Sequence, residues 1–244
     1  MLLETLEAHC FRNLSGKAAW GAGLNLIYGD NGQGKTNWLE AIYLLATSKS
    51  FRTQKPQEAV RFDEELAVVR GRVARSSEVQ RDLQVTIQNN IKTLTVNGKR
   101  ESVARYLGQL HVVAFTADEL EVVRGAPEAR RKFLDRGIVS LQHSYVQTLS
   151  DYQRVIKQKN RLLQDAADAE LGPVETAARL APWNEQLVGL SALIHQARTD
   201  YVERVNAVLE SRLFGREEVT VRYVSSLAGK GDLSDYETLI AERL

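Results

Sequence analysis

Residues 28–42 read YGDNGQGKTNWLEAI, with three glycines, a lysine and a threonine inside eight positions. The run Gly29, Asp30, Asn31, Gly32, Gln33, Gly34, Lys35, Thr36 fits G-x-x-x-x-G-K-[ST], the pattern of a phosphate-binding loop. Glycines let the chain wrap tightly enough for successive backbone N–H groups to point at phosphate oxygens. A helix opening directly after the loop adds its positive N-terminal end. In such a loop Lys35 reaches the β- and γ-phosphates and the Thr36 hydroxyl holds Mg²⁺. The expected ligand is therefore a nucleoside triphosphate with Mg. A phosphate loop names the ligand class and leaves the purpose open.

The flanks supply the context such a loop needs. Residues 23–28 (GLNLIY) read as a short strand running into the loop, and residues 2–9 as another. Trp38, Leu39, Ile42, Tyr43 and Leu45 then recur with helical spacing, so a helix begins near Lys35. Strands follow at 67–75, 82–90 and 92–99, the last two paired as a hairpin through Asn89, Asn90 and Ile91, and a buried strand at 109–115 (QLHVVAF). Pro127 suits the first position of a helix and Glu128 its first turn.

From about Ser140 the pattern changes. Tyr145, Leu149, Tyr152, Ile156, Lys159 and Leu163 are spaced alternately by four and three, and so are Trp183, Leu187, Leu190, Ile194, Ala197 and Tyr201. Joined by a connector at 169–182, these read as an antiparallel helical hairpin, or equally as two amphipathic helices packed on the domain. Residues 219–226 (VTVRYVSS) look like a strand returning to the first lobe, and 235–244 opens a last helix.

At 244 residues, 43% hydrophobic and 26% charged, the chain has the composition of a folded globular protein. Its N-terminus has glutamates where a signal peptide needs positive charge, and no apolar run approaches membrane length. A cytoplasmic location is expected. The single Cys10 excludes an internal disulfide framework, and its neighbour His9 is expected to point to the opposite strand face. The net charge of +1 is uneven: residues 1–136 hold 20 Lys+Arg and 16 Asp+Glu, a net of +4, which leaves −3 for 137–244. That margin alone would not suggest nucleic acid.

Three segments together resemble the RecF family of recombination mediators, ABC-type ATPases related in architecture to SMC proteins. They are FRNLSG at 11–16, the run from 23 to 52 around the phosphate loop, and VVAFTADELEVVRGAPEARRKFLD at 112–135. The resemblance extends to about Tyr223. It departs at Phe115-Thr116-Ala117-Asp118-Glu119-Leu120, where the family usually reads F-S-P-E-D-L. It implies an α/β ATPase lobe carrying a helical arm, and favours the hairpin reading of 140–213. The implied organisation is a lobe at 1–137, an arm at 138–214, and a return toward the lobe at 215–244.

The family resemblance further implies an ATP-dependent homodimer that binds DNA at single-stranded gaps. With RecO and RecR, such proteins help load RecA in replication, repair and the response to DNA damage. Candidate phosphate-contacting residues are Lys49, Arg52 and Lys55 after the first helix, and Arg130, Arg131 and Lys132 on a later one. Arg52 is alternatively placed near nucleotide. Binding led by the DNA backbone is expected to be sequence-tolerant and salt-sensitive.

Hydrolysis in this family also needs an apolar strand ending in acidic residues and a serine–glycine signature, both carried near the C-terminal end. The expectation is that this chain stops before either and lacks the segment that completes the lobe's sheet. Ser15-Gly16, Asp63-Glu64 and Asp118-Glu119 superficially match those motifs but lack the preceding strand or the position. A second reading follows, of a non-catalytic partner-binding fragment with a vestigial phosphate loop.

Overall fold

The structure, a computed structural model, describes residues 1–75, 79–210 and 218–244. The chain divides into two compact units, Met1–Ala117 and Asp118–Leu244. Among the described residues no helix is long and apolar enough to cross a membrane.

The first unit is a sheet wrapped on a helix. Strands β1 (Leu2–Phe11), β2 (Leu14–Ala19), β3 (Leu66–Ala74), β4 (Gln80–Gln88), β5 (Ile91–Val96) and β6 (Lys99–Arg100) form one antiparallel sheet in the order β2-β1-β3-β4-β5-β6. Alternation turns Leu6, Ala8, Val69, Val73, Leu83, Val85, Ile87 and Leu94 to one face. Helix α1 (Lys35–Thr47) covers that face with Ala41, Leu44, Leu45 and Ala46. Each fully buried leucine there contributes about 1.5–3 kcal/mol. Helix α2 (Val103–Tyr106) closes the edge, where the buried Tyr106 hydroxyl donates to the Leu45 carbonyl at 2.7 Å. The α/β class expected from the sequence is what the chain adopts.

Two expected strands are absent. Residues 23–28 and 109–115 are irregular and pair with no strand among the described residues. Leu24, Leu26 and Tyr28 stand 98, 79 and 85% exposed, and Val113 and Phe115 97 and 88%. Their apolar alternation is strand-like, yet a strand exists only when its backbone groups find a neighbour. The opposite-faces expectation for His9 and Cys10 holds in burial, His9 being exposed and Cys10 buried; β1 shifts register between Ala8 and Phe11, and Cys10 Sγ still comes to 3.6 Å from His9 Nε2.

The second unit is helical: α3 (Glu121–Arg124), α4 (Pro127–Leu141), α5 (Tyr145–Asp168), α6 (Pro173–Leu209) and α7 (Tyr236–Ala241). Pro127 takes the first turn of α4 as expected. The break between the two long helices is only 169–172, because Pro173 starts α6 and Pro182 lies inside it. A proline there removes one helical hydrogen bond. Leu180 and Leu187, on either side of Pro182, are both buried. The heptad stripe also drifts: Val155 is fully buried, while Leu163 is 41% exposed. A helix with 3.6 residues per turn moves a strict seven-residue stripe about 20° per heptad.

Residues 219–226 form no strand. The Asn206 carboxamide takes the place of a neighbour, donating to the Val221 carbonyl and accepting from its N–H, both at 2.9 Å. Near the junction of α4, α5 and α6, Arg198 makes two 2.9 Å bonds to Asp135, which also accepts from the Tyr145 hydroxyl at 3.0 Å. Burial first, then Asp135, pushes the Tyr145 phenol up.

His195 of α6 stacks on Tyr236, ring centroids 4.0 Å apart at 8°, with its Nδ1 buried and lacking a hydrogen-bond partner among the described residues. Burial, then the Arg198 charge, lowers its pKa below the ordinary 6.5. The unfolded chain therefore binds a proton that the folded unit resists, so this group's stability is intact above about pH 6.5 and lost as pH falls below it. The urea midpoint should drop between about pH 7.5 and pH 5.5, and His195→Gln should flatten that drop. An unchanged slope in the variant would assign the pH dependence elsewhere.

Candidate nucleotide-binding site

The loop at 29–34 leads straight into α1, whose first helical residue is Lys35. Gly34 is the N-cap at φ 98°, a left-handed conformation that L side chains avoid. A Cβ there would also lie 2.7 Å from Asn13 Oδ1 and 2.8 Å from Leu14 Cδ2. Glycine is thus required twice over at this position.

No side chain caps the helix, and its first turn carries no acidic residue. The positive end is consequently not neutralised from within its own first turn, which fits a phosphate ligand. Lys35 Nζ donates to the Gly29 and Asp30 carbonyls, both at 2.7 Å. Its ammonium is held at the rim of the loop by backbone, with no ion pair to a carboxylate among the described residues. Thr36 is exposed one residue into the helix, and Gln33 Nε2 reaches Asp30 Oδ2 at 3.4 Å. Asn31 and Gly32 complete the exposed rim. Residues 29–36 are therefore brought together as one exposed loop leading into a helix N-terminus, with the Lys35 ammonium held over its backbone.

Beneath it lies a network that the sequence reading missed. Glu40 on α1 is fully buried. Its carboxylate accepts from Arg12 Nε at 3.1 Å and Nη2 at 2.9 Å, and from Ser50 Oγ at 2.6 Å. Arg52 Nη1 approaches it at 3.7 Å. Arg12, at φ 54°, sits just past β1, and Ser50 and Arg52 just past α1. One carboxylate so ties both ends of the loop's scaffold together. The available signal was a glutamate whose helical neighbours Ala41, Leu44 and Leu45 are all apolar, since a charge on a core-facing position needs partners.

The expected DNA contacts divide by setting. Lys49, Arg52 and Lys55 follow α1 and are exposed, though Arg52 Nη1 also donates to Asn37 Oδ1 at 2.6 Å. Arg130, Arg131 and Lys132 are exposed on α4; Arg130 donates to the Gly125 carbonyl at 3.0 Å and Lys132 pairs with Glu128 at 2.7 Å. Of the acidic look-alikes, Glu119 is engaged by Arg136 at 3.0 Å, and the Asp118 side chain lies outside the described residues. Ser15 and Gly16 lie in β2, and Asp63 and Glu64 just before β3.

A family model for the AAA domain matches residues 10–169. The chain is 37% identical over 229 residues to the DNA replication and repair protein RecF of Geobacter sp. (strain M21), covering 91% of this chain and 60% of that protein. It is 32% identical over 246 residues to RecF of Shouchella clausii (strain KSM-K16), covering 98% and 64%. The chain thus spans roughly 60% of the length of the curated relatives it matches. In three dimensions it is similar to the recombination mediator protein RecF-ATP in the RecFOR pathway, with TM-score 0.89 and 30% identity. That match covers 99% of this chain and 66% of the other.

Proposed function

The chain belongs to the AAA-domain family and is RecF-like in sequence and fold, and from that premise we propose that it is an ATP-binding, DNA-binding recombination mediator of replication and repair. The observation that carries the nucleotide part is the loop at 29–36, where an uncapped helix end and a Lys35 ammonium bound only to the Gly29 and Asp30 carbonyls among the described residues share one rim. Backbone N–H groups of the loop would take the phosphates, Lys35 would take the β- and γ-oxygens, and Thr36 would hold Mg²⁺. Bound Mg²⁺ would supply charge neutralisation between adjacent phosphates. In the same reading the protein acts in the cytoplasm, as an ATP-dependent homodimer, on single-stranded gaps. RecO, RecR and RecA are its pathway partners.

DNA would meet the exposed cations after α1, Lys49, Arg52 and Lys55. Neutralising two or three phosphates gives a salt slope of about −2 to −3, an affinity loss of about tenfold or more between roughly 50 and 200 mM salt. The test is binding of a labelled gapped duplex with and without MgATP at those two salt concentrations. Binding that MgATP strengthens and salt weakens supports the reading. Failure to bind with MgATP present, or a salt-independent affinity, overturns it.

A further inference from the structure

Asn13 lies in the turn between β1 and β2, outside the loop, and its carboxamide is engaged at both ends. Nδ2 donates to the Gly32 carbonyl at 2.9 Å. Oδ1 accepts from Asn37 Nδ2 at 2.7 Å, and Asn37 Oδ1 accepts in turn from Arg52 Nη1 at 2.6 Å. The four groups form one directional chain, guanidinium to carboxamide to carboxamide to loop carbonyl, in which each donor polarises the next. An amide suits both middle positions because it offers a donor and an acceptor at once.

The last link sets the direction of a loop dipole. In a planar trans peptide the carbonyl and the next N–H point opposite ways. Holding the Gly32 carbonyl against Asn13 therefore aims the Gln33 N–H away from Asn13. Gly34 brings the loop against this turn, with no room for a Cβ beside Asn13 Oδ1. We propose that Asn13, through its bond to the Gly32 carbonyl and its Asn37–Arg52 support, is a positioning residue that presets a phosphate-binding N–H of the cradle. The inference rests on the nucleotide-binding reading of residues 29–36.

The test measures the affinity of a fluorescent ATP analogue with Mg²⁺ for the full chain and for K35A, N13A, N13D and N37A. Losing one neutral hydrogen bond of this kind corresponds to about 3- to 10-fold weaker binding for N13A. N37A should weaken binding less, and the N13A/N37A pair should fall short of the product of the single effects. Asn13→Asp keeps the acceptor for Asn37 but turns an acceptor toward the Gly32 carbonyl. Its deficit relative to the parent should shrink from about pH 7.5 to about pH 4, near the ordinary aspartate pKa of about 3.9, as a protonated carboxyl regains a donor. The N13A ratio should stay flat across the same range, a contrast that general destabilisation would not produce. Parental affinity in N13A and N37A, with K35A defective, overturns the inference and leaves the nucleotide site standing. Absence of binding by the parent overturns both. Should N13A fail to fold, a pH-independent N13D ratio overturns the inference by itself.

Discussion

Lys35→Ala should weaken MgATP binding by on the order of 100-fold while leaving the melting temperature nearly unchanged. The lysine's two partners in the structure are the Gly29 and Asp30 carbonyls, both on an exposed loop. Water replaces such bonds cheaply, so stability changes little. Toward a triphosphate the same ammonium makes charge-assisted bonds worth about 1.5–3 kcal/mol each, and 1.4 kcal/mol is tenfold in affinity. No acidic side chain in the first helical turn offsets that charge. Lys35→Arg separates charge from shape: it keeps the positive field but needs more room at the rim, so it should fall between parent and alanine. Titration calorimetry with MgATP and a thermal melt on each variant give the two readouts. An alanine variant binding within about threefold of the parent, against the 100-fold expected from those bonds, would sink the assignment of this loop.

The contrast between what was and was not legible in the sequence follows from how many partners each feature needs. The phosphate loop and α1 are local: Gly29 through Thr36 state their geometry in their own spacing, and the helix begins at Lys35 as read. The hairpin of β4 and β5 is nearly as local, since Asn89 and Asn90, at φ 50° and 62°, turn the chain between them. Residues 23–28 and 109–115 carry an equally strand-like pattern, but pairing is a property of two segments, and alternation in one says nothing about the other. The Glu40 network was hidden for the same reason. Arg12, Glu40 and Ser50 are distant in sequence, and only the packing of α1 on the sheet brings them within 3.1 Å. The site's charged rim could thus be read from one segment, while the polar anchor beneath it required three.

Glu40→Ala should be the most destabilising of the single substitutions considered, at about 3 kcal/mol or more in the first unit. The carboxylate is fully buried and neutralises Arg12, whose side chain is only 20% exposed. Removing one partner of a buried pair leaves the other charge desolvated and uncompensated, which costs about 3–5 kcal/mol. Here the lower end applies, because Arg12 keeps its bond to the Glu58 carbonyl and some contact with water. Ser50 also loses its acceptor, and with it the anchor of the segment leading to Arg52. Glu40→Gln retains one acceptor and the volume, so it should recover part of the loss. The decisive comparison is Glu40→Leu combined with Arg12→Met. If the penalty is an unpaired buried charge, removing both charges should be less costly than removing Glu40 alone. Urea denaturation monitored by tryptophan fluorescence suits this, since Trp20 and Trp38 pack edge to face at 6.5 Å against the same core. A double variant less stable than the sum of its single changes would mean that the pair's hydrogen-bond geometry, and not its charge balance, holds the scaffold beneath the loop.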